Sequence, residues 1–504
     1  MIRVIPGLSL SSAALCLALG ASGARAQSPA VTASIGGELA WSNNINQAPP
    51  SLAEGELSLS LTPSLGFNYR SARLQMGGYA GLTAYHYFGN TQPDKVYPNI
   101  GLTGTLEAIE RFLFIDASVT GQPQFLNPFG PQSTGQVSDN LYSAYTYQVA
   151  PTIKGKTLGD LDYLLRSDSR WSTTAAESGL GNTYQWDVNA RLARAPKPFG
   201  WSFELERKAL NQENVPDYLN ELGRIVASYL VAENFSLSLR GGYEQTDYGL
   251  IHDSGAVYGG GFSWRPTPRT DFTGYWEQRF FGNSWQANAS HRMPFLSFNL
   301  ATSRDVSTTP QTLFTLPAGA NMFDALDALM TTRVPDPATR AAAARRIILQ
   351  EGLPIALASP VPIYGQNVAL QTRYEAGTTW YGQRNSISLN VFYLRSEAIS
   401  GSGVNLPPAL TLINNSVQRG VGLSASHRLS QFTSLSAGAS VQRTQGIGQY
   451  SAEESKQFNA NVRLTQQLGA RLTGSLGLRY QRFESNIQAD FNETAALVGL
   501  SYAF

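Results

Sequence analysis

Cysteine is all but missing from this chain: its single copy, Cys16, lies near the start, with Leu15 before it where a lipoprotein leader needs a small residue. That excludes thiol nucleophiles, thiolate metal sites and a disulfide scaffold from the rest of the protein. Histidine is scarce too, with four copies, His86, His252, His291 and His427, far apart in sequence. None has metal-ligand spacing. The tripeptide His252-Asp253-Ser254 falls where a loop is expected, and neighbours along a chain do not make a catalytic triad, which is a spatial arrangement. With no phosphate loop or nucleotide fingerprint either, neither an enzyme nor a cofactor is expected. No excess of one charge exists: 37 basic residues face 36 acidic ones, so no nucleic-acid partner is expected. Only six of the basic residues are lysine. Arginine, which forms planar bidentate ion pairs, carries the positive charge. Beyond the start no apolar run approaches the ~18 residues a membrane helix requires.

The first residues carry Arg3, an apolar stretch from Leu8 to Leu19, and Ala24-Arg25-Ala26 before Gln27. This is the pattern of a cleavable secretory signal, expected over 1–26. No Pro/Ser linker or charge block divides the remaining chain, so 27–504 reads as one domain.

Its organising pattern is alternation of period two. Leu472, Leu476, Leu478 and Tyr480 oppose Thr473, Ser475, Gly477, Arg479 and Gln481; Phe458, Ala460, Val462 and Leu464 oppose Asn459, Asn461, Arg463 and Thr465. The same split runs through Leu435, Ala437, Ala439 and Val441, and through Leu57, Leu59 and Leu61. Side chains alternate between faces in a strand, so each segment has an apolar and a polar face. A soluble sandwich alternates as well, but here glycine and opposed charges fill the polar face and aromatic residues gather near segment ends, as in outer-membrane barrels. The chain ends on the same alternation, Ala496, Val498, Leu500, Tyr502, Phe504. That ending resembles the terminal strand read by the barrel assembly machinery, which makes the machinery and outer-membrane lipid the expected partners. The fold class expected is all-β, a large antiparallel transmembrane barrel of about 22 strands, within about 18 to 24.

Short turns at Ser71–Arg73, Thr157–Asp160, Pro196–Gly200, Pro266–Arg269, Gly382–Arg384 and Leu468–Arg471 alternate with longer polar connections. In such barrels short turns face the periplasm and long loops the exterior. One connection stands apart. Over 307–362 the alternation stops and two helical patterns appear: one carries Phe323, Leu326 and Met330 on a stripe, and the other starts at Asp336-Pro337, passes Arg345 and Arg346, and stops at Gly352. About 15 strands precede it and seven come after, placing it outside the cell. It reads as a folded surface loop or as a helical hairpin gating the mouth.

With the apolar faces towards lipid, Asp162, Arg166, Asp168, Arg170, Asp187, Arg191, Glu277, Arg279, Arg373 and Glu375 point inward, as do Glu204, Glu206, Arg463 and Arg479. Opposed charges on one inner face make cross-strand ladders, or a pathway whose field selects solutes. A second candidate is Gln122–Gln132, within the third long loop, where Phe125 and Phe129 sit among prolines. It reads as an exposed loop or as one folded inward to narrow a channel.

Glu110-Arg111-Phe112-Leu113-Phe114-Ile115-Asp116-Ala117-Ser118-Val119, running on into Pro128-Phe129-Gly130-Pro131-Gln132, resembles the PEP-CTERM-system-associated outer-membrane proteins. A second likeness is Arg333-Val334-Pro335-Asp336-Pro337-Ala338-Thr339-Arg340 with Gly352-Leu353-Pro354. The resemblance implies a barrel porin associated with exopolysaccharide production and protein sorting, with polysaccharide-export components as partners. Two functions stay open: a pore for a polar solute or exported polymer, and a plugged barrel that docks partners.

Overall fold

The computed structural model describes residues 30–132, 136–157, 159–174, 181–213, 215–308, 326, 330, 340, 368–399 and 415–504. The expected signal over 1–26 lies outside them, and so do Phe323, Arg345 and Arg346. Period-two alternation becomes strand throughout. The strands are β1 (Ala30–Ser42), β2 (Glu56–Arg70), β3 (Leu74–Tyr87), β4 (Lys95–Ile109), β5 (Leu113–Phe125), β6 (Leu141–Lys156) and β7 (Leu161–Thr174). Next come β8 (Thr183–Arg194), β9 (Phe199–Gln212), β10 (Val215–Ala232), β11 (Phe235–Tyr248), β12 (Ile251–Thr267), β13 (Thr270–Arg279), β14 (Gly282–Arg292) and β15 (Leu296–Ser307). The last seven are β16 (Ala369–Tyr381), β17 (Asn385–Ala398), β18 (Ser416–Arg428), β19 (Thr433–Gly446), β20 (Glu454–Gln467), β21 (Leu472–Ser485) and β22 (Phe491–Ala503).

Each strand pairs antiparallel with its sequence neighbours, and β1 pairs with both β2 and β22, so the 22-stranded sheet closes on itself. Closure leaves no edge and gives every strand a partner on both sides, the condition for backbone in hydrocarbon. The short turns fall where the sequence puts them, at one end. Arg111 and Asp160 sit there at φ 55° and 60°, the left-handed conformation a tight turn demands. The long connections all lie at the other end, the exterior by the barrel rule.

Fifteen strands precede the longest connection and seven come after it, and β15 pairs with β16 in unbroken register from Leu296↔Trp380 to Ser307↔Ala369. Of the residues between them, Thr308, Leu326, Met330, Arg340 and Val368 are described; Leu326, Met330 and Arg340 have helical backbone, and Leu326 and Met330 are buried. A helical hairpin is not among the described elements.

Outward faces carry exposed apolar side chains, Leu239 at 73% and Leu478 at 60% among them, with Trp41, Tyr243, Tyr258, Trp276, Phe199 and Tyr229 towards the rims. Inward faces are polar: Ser58, Thr146, Ser202, Glu244, Glu277, Ser388, Ser426 and Gln457 are buried. An apolar belt rimmed by aromatics around a polar interior fits a bilayer and no aqueous compartment. The protein is a barrel of the bacterial outer membrane. Two clusters of buried apolar groups lie at the extracellular end, one of Leu210, Tyr218, Tyr248, Val306, Val368, Leu370 and Ile399 and another of Ile45, Tyr87, Tyr97 and Val137.

Candidate functional site: the lumen and its third loop

The inward charges form ion pairs along adjoining strands. On β7, Arg166 binds Asp116 of β5 at 2.6 Å and approaches Asp168 at 3.5 Å, while Arg170 lies 3.9 Å from Asp168. Asp162 meets Lys156 at 3.3 Å near the periplasmic rim. On β8, Arg191 lies 3.5 Å from Glu204, and Asp187 accepts a 2.7 Å hydrogen bond from Gln185. Arg373 and Glu375 of β16 sit 3.6 Å apart.

The densest part spans β9 to β15. Glu277 accepts from Arg224 at 3.2 Å and from Arg240 at 3.0 Å, and Arg224 also binds Glu204 at 2.7 Å. Arg279 pairs with Glu244 and, at 2.8 Å, with Asp305. Glu277 stands on β13 and Arg224 on β10, so their bond crosses two strands. Glycines clear the lane. A Cβ on Gly259 of β12 would lie 2.0 Å from the Trp276 carbonyl oxygen, and one on Gly242 of β11 would lie 2.7 Å from Cβ of Arg224. Any side chain there would block the approach. Glu204 and Glu277 belong to one network with Arg191, Arg224 and Arg240. Glu206 instead pairs with Lys208 at 2.8 Å. Reading strands singly found the inward residues and missed Arg224, Arg240 and Glu244; the glycine run at 259–261 was the available signal that long side chains meet across that strand.

Past β16, further round the same wall, the lining changes character. Ser386, Ser388 and Asn390 of β17, Gly422, Ser424 and Ser426 of β18, and Ser434, Ser436 and Gly438 of β19 line it with hydroxyls, an amide and bare backbone.

The described parts of the third loop, 126–132 and 136–140, lie inside the extracellular mouth. Asn127 and Asn140 clamp its neck: the Asn127 amide donates to Asn140 Oδ1 at 2.8 Å, and Asn140 Nδ2 donates to the Asn127 carbonyl at 2.8 Å. Beyond the neck the loop reaches strands far around the barrel. Gln132 and Gln457 of β20 exchange two hydrogen bonds at 3.0 Å, Thr444 of β19 donates to the Pro128 carbonyl at 3.1 Å, and Arg479 of β21 donates to Gln136 at 2.9 Å. Gln457, Thr444 and Arg479 all belong to inward faces. The loop therefore runs as a chord inside the arc formed by β19 to β22 and β1 to β5. Phe129, two residues beyond the neck, is wholly buried, whereas Phe125 ends β5 and is half-buried. The segment expected as loop from Gln122 thus starts at Leu126, because β5 stays paired with β6 through Phe125↔Leu141.

A second brace comes from the neighbouring loop. The Val137 amide donates to Tyr87 Oη at 2.9 Å, and the Tyr87 amide donates to Asp94 Oδ1 at 3.2 Å. A 2.8 Å bond from His86, helped by that amide, holds the Asp94 carboxyl below its ordinary range. A carboxyl depressed in the folded state contributes above its unfolded value, and the contribution is lost as pH falls through the folded one. Acid should therefore loosen Tyr87 and, through it, the loop. Open-channel current noise is expected to rise as pH drops into the carboxylate range, and Asp94→Asn should show that noise at neutral pH. Noise that ignores both changes would cut Asp94 out of the brace.

His252-Asp253-Ser254 is not a loop. The turn of β11 and β12 closes in two residues, with Gly249 at φ 61°, so His252 and Ser254 stand on β12. His252 pairs with Asp247 at 2.8 Å and Ser254 accepts from Tyr243 at 2.9 Å, so Asp253 takes no part. Among the described residues no group of acidic and histidine side chains gathers as a metal site.

No protein-family model matches the chain, and no curated protein matches it in sequence. Among solved structures it is similar to the FrpB iron transporter of Neisseria meningitidis, at 10% identity over 94% of this chain and 81% of that one, TM-score 0.49. It is also similar to OccK5 (OpdH) of Pseudomonas aeruginosa, at 9% identity over 94% and 98%, TM-score 0.33. A third is the siderophore receptor PirA of Acinetobacter baumannii, at 9% identity over 94% and 80%, TM-score 0.46. Likeness at this level carries no function across.

Proposed function

We propose that the protein is an outer-membrane pore for polar solutes, narrowed at its extracellular mouth by the third loop. The observation that carries this reading is the chord made by residues 126–132 and 136–140, pinned on the inner wall by Gln457, Thr444 and Arg479. A barrel of 22 strands is too wide for its own side chains to fill. The chord constricts one sector of that lumen. Behind it, the ion pairs of Arg166, Arg224, Arg240 and Arg279 neutralise one another, and the adjoining wall of β17 to β19 offers serine and asparagine. Such a surface hydrates small polar and polyhydroxylated solutes without holding ions of one sign. Passage of an exported polysaccharide is the narrower form of this reading, supported by the resemblance at Glu110–Val119.

Reconstituted in a planar bilayer, the folded chain should give discrete current steps with weak preference between potassium and chloride. Silence from protein shown to be folded would favour the plugged docking barrel instead.

A further inference from the structure

Near-balanced total charge conceals a local excess on the outer wall. Arg419 of β18, Arg443 of β19 and Lys456 of β20 stand directly opposite one another, in the registers Arg419↔Arg443 and Arg443↔Lys456. All three share the outward face with Val421, Val441 and Phe458. All lie within four residues of the extracellular strand ends. Arg482 of β21 joins them, paired in register with Phe458. Like charges directly opposite on adjacent strands repel, so a row of three destabilises an isolated sheet.

The neighbouring acids offset part of this. Glu454 takes Arg443, and Glu484 is shared by Arg482 and by Lys456 at 3.9 Å. Arg419 is exposed, has no ion-pair partner among the described residues, and Arg443 Nε makes no hydrogen bond. Directly below, towards the membrane, Val441, Phe458 and Tyr480 line a groove of about 380 Å³ whose upper wall is Lys456, Arg482 and Glu484. Phe458 and Tyr480 pack with ring centroids 6.0 Å apart.

We infer that Arg419, Arg443, Lys456 and Arg482 bind the phosphate groups of a phosphorylated glycolipid of the outer leaflet, with an acyl chain in the groove beneath. The placement selects the ligand. An anion reaching these residues must sit at headgroup depth on the lipid face of the barrel, outside the lumen. Its apolar part must run down Phe458 and Val441. Arginine forks match phosphate oxygens bidentately, and the bound anion turns the repulsion within the row into attraction. The inference is independent of whether the barrel conducts.

Native mass spectrometry of the detergent-purified full chain, titrated with bisphosphorylated lipid A, tests it. One bound lipid is expected. Each cation near an anionic lipid surface is worth about fivefold, so the triple variant R419Q/R443Q/K456Q should bind about a hundredfold more weakly. Dephosphorylated lipid A should bind the unaltered protein as poorly as the phosphorylated form binds the variant, and R419K/R443K should retain binding. Heat-modifiable migration on a gel confirms that each variant folds; should the triple fail, R419Q alone is expected to lose about fivefold. Equal affinity of the unaltered chain and the variant for the phosphorylated lipid would overturn the site. So would equal binding of the dephosphorylated lipid, which would mean that only the groove is used.

Discussion

Excising residues 128–137 and bridging the gap with glycine and serine should raise single-channel conductance several-fold. The excision takes out the buried Phe129 and every described contact that ties the loop to β19, β20 and β21. The neck remains, because the Asn127 and Asn140 clamp stands outside the cut. Since β5 pairs with β6 without the loop's help, the barrel itself should assemble unchanged. A gentler variant separates pinning from bulk: Gln457→Ala with Thr444→Ala removes three hydrogen bonds to the chord and keeps its atoms. It should give flickering between the native and the larger conductance rather than a steady increase. If excision leaves the step size unaltered, the constriction lies elsewhere in the lumen and the chord has a mechanical role.

Replacing Glu277 by alanine should destabilise the barrel strongly. Its carboxylate is 1% exposed and faces Arg224 and Arg240, each 17% exposed. Taking the acid away leaves the largely buried Arg240 without its carboxylate, beside Arg224, which keeps Glu204. Breaking a buried pair from one side costs about 3 to 5 kcal/mol, because the remaining charge keeps its desolvation and loses its compensation. Urea unfolding in detergent micelles, followed by tryptophan fluorescence, should register that loss. Arg240→Met added to the same chain should recover part of it. Channels that survive should pass chloride better than the parent, since the lumen has gained net positive charge. A loss too small to resolve would mean that water reaches the site and that the pairs merely share a polar wall.

Strand number, the side on which turns fall and the inward set of charges were legible from the chain because period two is a local property. Asp162, Arg166, Asp168 and Arg170 lie on one face whatever their neighbours do. What each inward residue touches is a different matter. Arg166 bonds to Asp116 two strands away, and Glu277 reaches Arg224 over Gly259 and Gly242. Those meetings depend on the shear of the closed barrel, which no single strand encodes. The third loop illustrates the same limit. Its phenylalanines and prolines marked it as unsuited to open solvent, yet its landing points lie 325 and 343 residues away in sequence. The turn at Gly249 and Leu250 failed for the opposite reason: its two-residue connection is shorter than the polar stretch around it suggested.

The unbroken register of β15 and β16 has a consequence for how this protein can change. Leu296 to Ser307 find Trp380 to Ala369 rung by rung, although the whole 308–368 connection separates the two strands in the chain. The entropy of closing a flexible loop grows only logarithmically, about 0.6 kcal/mol for each doubling of length. The entropy of closing the wall is therefore nearly independent of how long the insert is. The connection can lengthen or shorten at little entropic cost while the membrane-spanning wall keeps its sequence, which makes this position a natural place for a foreign peptide to be displayed.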